Sequence, residues 1–114
     1  MKTLQKRKSK GDRFANYFHK KYGELVYSGT LALETALVAL GVGRGDYVIV
    51  PDNVCYRILL TIVRLQAIPF IINPRNGLIL TVEDIRVVVE KYKIKAVLLL
   101  HNMGLPVAVD AFRQ

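Results

Sequence analysis

Three short stretches carry residue types suited to chemistry: Ser28-Gly29-Thr30, Cys55-Tyr56 and His101-Asn102-Met103-Gly104. The first separates a brief apolar run at 25–27 from a longer apolar segment with helical spacing. Such a junction offers backbone N–H groups at a helix start, a hydroxyl on each side, and a glycine that lets an anion approach the backbone, which suits a phosphate. The plainer reading is that Ser28 or Thr30 caps the helix and Gly29 serves the turn, and these three residues alone favour it. Cys55 opens a second predicted helix, and His101 ends a predicted strand, where a neutral ring nitrogen can donate to a ligand. A lone cysteine is more often a small apolar group and a lone histidine more often structural, so neither makes a case for a nucleophile. No Cys/His spacing suits a metal, and no paired carboxylates suggest general acid-base work. The glycine-rich "GVGRGD" at 41–46 follows a helix and precedes a strand. A dinucleotide fingerprint needs the reverse order, so this stretch reads as a helix stop and turn.

The elements that must position these residues alternate along the chain. A first helix over 12–22 puts Phe14, Tyr17 and Phe18 on its inner face and stops at Gly23. Strands follow at 25–27, 47–50, 69–72 and 96–100, with helices over 30–40, 56–65 and 82–92 between them. The runs "VIV", "FII" and "AVLLL" do not alternate with polar residues, which suits strands of a parallel sheet covered on both faces. Right-handed crossovers place the helices on the sheet faces. In such sheets ligands bind beyond the carboxyl ends of the strands. Ser28-Gly29-Thr30, Pro51-Asp52-Asn53, Asn73-Pro74-Arg75 and the 101–104 stretch all fall on that rim.

Composition narrows the classes. With 114 residues, 52% of them hydrophobic and only four prolines, the chain suits one small globular domain. Charges at Asp46, Asp52, Arg57 and Arg64 interrupt the most apolar region, so no membrane span is expected. The N-terminus lacks the apolar block and cleavage site of a secretory signal, and Cys55 has no partner for an intramolecular disulfide, which fits a reducing cytosol. The net charge of +8 is uneven. Residues 1–22 hold eight Lys or Arg against Asp12, a net +7, while residues 23–114 hold nine against eight, a net +1. The basic segment over 1–10 reads as a solvated tail. Its alternative role is that of a small binding module engaging nucleic acid or another polyanion by a salt-dependent attraction.

Read in order, "RFANYFHKKYGELVYSGTLALETALVALGVGRGDYVIVPDNVCYRILL", "AIPFIINPRNGLILTVEDI" and "KAVLLLHNMGLPVAVDAF" resemble the opening of the DegT/DnrJ/StrS sugar aminotransferases, which are fold-type-I pyridoxal-phosphate enzymes. The resemblance covers about residues 11 to 114. It implies an α/β fold: a partial three-layer sandwich with a mostly parallel sheet, like the N-terminal half of that family's large domain. It implies that Ser28, Gly29 and Thr30 hold the cofactor phosphate. Cys55 occupies the place of an aromatic residue that stacks on the pyridine ring, with Tyr56 beside it, and His101 matches a His-x-x-Gly strand end near the cofactor. The implied cofactor is pyridoxal phosphate, and the implied reaction moves an amino group to a keto-sugar nucleotide. The implied partners are a second copy of the chain or the remainder of the transferase, with neither nucleic acid nor membrane required. The family's Schiff-base lysine and the aspartate that bonds the pyridine nitrogen have no counterpart in this sequence. Lys91, Lys93 and Lys95 precede the last strand, at its amino edge. The expectation is therefore an N-terminal piece of an aminotransferase domain, over 11–114, that does not catalyse alone.

Overall fold

The computed structural model describes residues 10–113. Their elements run α1 (Lys10–Tyr17), α2 (Gly29–Ala39), β1 (Tyr47–Pro51), α3 (Tyr56–Arg64), β2 (Ile68–Ile72), α4 (Val82–Lys91) and β3 (Ile94–Val97), followed by 3-10 turns at Asn102–Gly104 and Val109–Arg113. The three strands form a parallel sheet in the order β2-β1-β3. β1 is central because it is apolar on both faces, and Val48, Ile49 and Val50 are completely buried. Val48 and Val50 join Leu37, Val42, Ile62 and Ala67 in one cluster, while Ile49 joins Ile72, Leu80 and Ile85 in another. So α2 and α3 cover one face and α4 the other. The crossover through α3 runs from β1 out to β2 and that through α4 runs back from β2 past β1 to β3, which puts those helices on opposite faces when both are right-handed. The expected three-layer α/β arrangement is present.

The edge strands depart from the expectation of full cover. Ile68 and Ile71 of β2 are exposed, so the apolar run "FII" belongs to a half-bare edge. The last strand ends at Val97 instead of residue 100. Leu98 N–H still donates to the Ile49 carbonyl at 2.8 Å. The return bond of a parallel ladder would come from residue 51, and Pro51 has no N–H to give.

Helix ends follow local chemistry. α2 closes with the Val42 N–H on the Leu37 carbonyl (3.0 Å) and the Gly41 N–H on the Val38 carbonyl (2.9 Å), with Gly41 at φ 71°. This is a Schellman closure, and it confirms "GVGRGD" as a helix stop. α1 closes in the same way at His19 (φ 53°), four residues before the expected Gly23. The predicted inner face of α1 is also corrected: Phe14, Tyr17 and Phe18 are exposed, and Gly11 and Ala15 are buried. A Cβ on Gly23 would lie 2.7 Å from the Gly11 carbonyl oxygen and 3.1 Å from Ala15 Cβ, an approach that only small residues permit. The strand expected at 25–27 does not form, for Leu25 and Tyr27 are exposed and the segment pairs with neither edge of the sheet. Lys10 opens α1, and the rest of the basic 1–10 segment lies outside the described residues.

α4 begins at a buried carboxylate. Asp84 accepts hydrogen bonds from the N–H and the hydroxyl of Thr81, each at 2.8 Å, and from the Arg75 N–H at 3.2 Å, with Arg75 Nε 3.6 Å away. Burial pushes its pKa up and is the largest single influence, yet the Thr81 and Arg75 hydrogen bonds and the Arg75 charge together outweigh it and hold the group below its ordinary value. A depressed carboxyl pKa stabilises the fold above the unfolded value of 3.8 and loses that contribution as the pH falls through the folded value. Asp84→Asn is expected to lower stability by about 1–2 kcal/mol at pH 7. Urea titrations of both proteins should show this gap narrowing below pH 3.8, where wild-type Asp84 becomes protonated.

Candidate functional site

From β1 the chain steps to β2 on one side and then returns past β1 to β3 on the other. The loops leaving β1 and β3 therefore diverge, and a crevice opens between their carboxyl ends. A cavity of about 320 Å³ occupies this place. Two helix starts line it, with Gly29 and Thr30 of α2, Cys55 just before α3 and Arg57 in the first turn of α3, and Thr61 lies one turn further along α3. Leu33, Ile58, Leu98 and Leu100 supply apolar walls. A neighbouring cavity of about 250 Å³ takes in Asn53, His101 and Met103. Both cavities share Cys55, Ile58 and Leu100, which links the Gly29 loop to His101.

The start of α2 carries a side-chain cap. Ser28 is extended (φ −151°, ψ 160°), and its hydroxyl accepts from the Leu31 N–H at 3.2 Å. Its carbonyl accepts from the Ala32 N–H at 2.9 Å. Ser28 is thus the cap, as the plainer reading holds. Gly29 is a different matter: it is not among the glycines at positive φ, and a Cβ built on it meets no atom within 4 Å. Neither turn geometry nor packing requires a glycine there. What the missing side chain leaves is open space beside Gly29, at the helix end where the N–H groups of Gly29 and Thr30 have no acceptor inside the helix. The same space faces the starts of two helices of nine and eleven residues, and Arg57 is the one charged residue in its lining among the described residues. The two helix starts and Arg57 are the electropositive groups of an otherwise apolar cavity.

The other sequence-derived candidates are placed as follows. Cys55 is exposed, borders both cavities and makes no side-chain cap bond. Tyr56 is 61% exposed and lines neither cavity; its ring instead lies 5.7 Å from the Arg57 guanidinium carbon. His101 lines the smaller cavity, and its Nδ1 accepts the Val107 N–H at 2.9 Å. That bond assigns the ring proton to Nε2, which remains a donor. Met103 and Gly104 next to it both take left-handed backbone (φ 53° and 79°). Two rim groups are engaged structurally: the Asn53 amide donates to the Leu78 carbonyl at 2.9 Å, and Arg75 is matched to Asp84. Sequence reasoning missed Arg57. Its signal was the spacing to Ile58 and Thr61, which puts all three on one helical face with Arg57 one turn before the buried Thr61.

The comparisons with known proteins bear on this site. Residues 6–114 match the DegT/DnrJ/EryC1/StrS aminotransferase family. The chain belongs to that family. It is 36% identical over 101 residues to the GDP-perosamine synthase of Vibrio cholerae, a match covering 88% of this chain and 27% of that protein. The aminotransferase of Psychrobacter cryohalolentis superposes with a TM-score of 0.80 at 31% identity, over 89% of this chain and 26% of that one. NtdA of Bacillus subtilis, solved with bound cofactor PMP, gives a TM-score of 0.79 at 24% identity over 91% of this chain and 24% of its own. The chain thus spans about a quarter of the length of these relatives.

The reading of Gly29 has a direct check. Gly29→Ala is expected to leave unfolding stability unchanged or to raise it by up to about 0.5 kcal/mol, because alanine favours the helix and its Cβ meets nothing. Thermal or urea unfolding showing a loss above about 1 kcal/mol would assign Gly29 a packing role instead.

Proposed function

We propose that this chain forms the cofactor-phosphate side of a pyridoxal-phosphate-dependent sugar aminotransferase, which moves an amino group from a donor amino acid to a keto-sugar nucleotide. The observation that carries this reading is the open space at Gly29, set before unused N–H groups at the start of α2 in a cavity with no carboxylate in its lining. When bound, pyridoxal phosphate supplies the electron sink of the reaction. The residues of the chain divide the work of holding it. Gly29 and Thr30 give N–H groups to the phosphate, while Ser28 fixes the loop that aims them. Leu33, Ile58, Leu98 and Leu100 exclude water. Cys55 borders the space where the family places an aromatic ring, and Nε2 of His101 offers a hydrogen bond from the adjoining cavity.

Amino transfer also needs a lysine amine and an acid at the ring nitrogen. Among the described residues, no lysine and no carboxylate lines either of these two cavities. Lys95 Nζ lies 3.6 Å from where a Cβ on Gly41 would be, at the far end of α2, roughly 16 Å along the helix from Gly29. The chain on its own is therefore proposed to bind without catalysing. Its place is the cytosol, and the open edges of β2 and β3 are where a second copy or the rest of a transferase domain would add.

The test is a titration of the purified chain with pyridoxal phosphate, followed by borohydride reduction and intact-mass analysis. Saturable binding that Gly29→Asp removes, with no stoichiometric adduct on one lysine, is the expected result. Absence of Gly29-dependent binding contradicts the phosphate site. A single stoichiometric lysine adduct, or amino transfer from glutamate that depends on added cofactor, contradicts the non-catalytic reading.

A further inference from the structure

We propose that Arg57 is the counter-charge of the phosphate site: its guanidinium grips a phosphate monoester dianion that Gly29 and Thr30 hold from the other side of the cavity. The inference rests on the phosphate reading of that cavity and adds a residue to which the resemblance assigned no role.

Four observations lead to it. Arg57 lines the same cavity as Gly29 and Thr30, and it is the one charged residue in that lining among the described residues. Its backbone is fixed, since the Arg57 carbonyl accepts the hydroxyl of fully buried Thr61 at 2.9 Å, which anchors the first turn of α3 against the core. The head group is uncommitted. Arg64, Arg75 and Arg113 are paired with Glu34, Asp84 and Asp110, whereas Arg57 has no carboxylate within ion-pair distance among the described residues. The contact recorded for its guanidinium is the Tyr56 ring at 5.7 Å, a cation-π distance that leaves all five N–H donors in the ring plane of the guanidinium free to bond.

The chemistry suits a dianion in particular. First-turn N–H groups of α2 carry partial positive charge and fixed direction, which orients a phosphate but matches only part of its charge. A planar guanidinium adds a full charge and two parallel donors to two phosphate oxygens. Proximity to Tyr56 limits the rotamers of the long side chain, so less freedom is lost on binding. The Tyr56-Arg57 pair then has a role other than ring stacking: Tyr56 steadies the arginine from outside the cavity while Arg57 acts inside it.

The experiment compares wild type, Arg57→Gln, Arg57→Lys and Gly29→Asp by calorimetric titration with pyridoxamine phosphate, pyridoxamine and inorganic phosphate. Pyridoxamine phosphate forms no imine with lysines, and the ligand without phosphate separates ring contacts from phosphate contacts. Arg57→Gln is expected to weaken pyridoxamine phosphate and inorganic phosphate about five- to thirtyfold, to leave pyridoxamine unchanged, and to keep the unfolding midpoint of wild type. Arg57→Lys should recover part of the loss, because it restores the charge without the fork. Wild-type affinity should fall as the pH drops through about 6, where the dianion takes a proton, and this fall should be shallower in Arg57→Gln. If Gly29→Asp abolishes binding and Arg57→Gln does not weaken it, Arg57 has no part in the site and the inference is overturned while the phosphate reading stands. Equal weakening of pyridoxamine and its phosphate also overturns it, because the contact would be with the ring. Wild type that binds none of the phosphates in a Gly29-dependent way overturns both.

Discussion

Burial of β1 on both faces is the constraint from which the remaining architecture follows. Val48, Ile49 and Val50 have no exposed surface, and each such side chain contributes on the order of 1.5–3 kcal/mol when fully buried. Because successive side chains point to opposite faces, the strand demands helices on both sides and a neighbour on each edge. α2 and α3 meet the demand of Val48 and Val50, and α4 that of Ile49. With β2 and β3 on opposite flanks, the chain must reverse direction across the sheet beside β1. The crevice that carries the candidate chemistry is thus a by-product of how the core closes.

Much of this was legible in the sequence. The unbroken apolar run "VIV" signalled a doubly covered strand, and Gly41 after an apolar helix signalled its stop. Legibility failed where a residue's role depends on what approaches it. Phe14, Tyr17 and Phe18 have helical spacing, yet α1 buries Gly11 and Ala15 because the backbone of Gly23 comes too near for larger side chains. The apolar run at 25–27 has the composition of a strand but no strand beside it, so no ladder forms. β3 shortens for a reason held by a different strand: the missing N–H of Pro51 removes the next bond.

The same distinction governs the site. Residue types alone could not separate a capped helix from a phosphate loop at Ser28-Gly29-Thr30, and the structure gives Ser28 and Gly29 different surroundings. Ser28 caps, while Gly29 stands at unstrained φ against empty space. The phosphate role proposed for this space rests on family membership, and the geometry of this chain supplies its particulars: a thiol at Cys55, an outward tyrosine at 56 and an arginine at 57. Arg57 escaped sequence reasoning because one helical turn, not a motif, brings it beside the α2 start.

The central claim is that a phosphate monoester is held by the backbone at the start of α2. Amide NMR of the uniformly nitrogen-15-labelled chain, titrated with pyridoxamine phosphate and then with pyridoxamine, tests it most directly. The account predicts saturable shifts at the Gly29 and Thr30 amides with the phosphorylated ligand and none there without the phosphate. Shifts confined to the basic residues before α1, or equal shifts with both ligands, would contradict it.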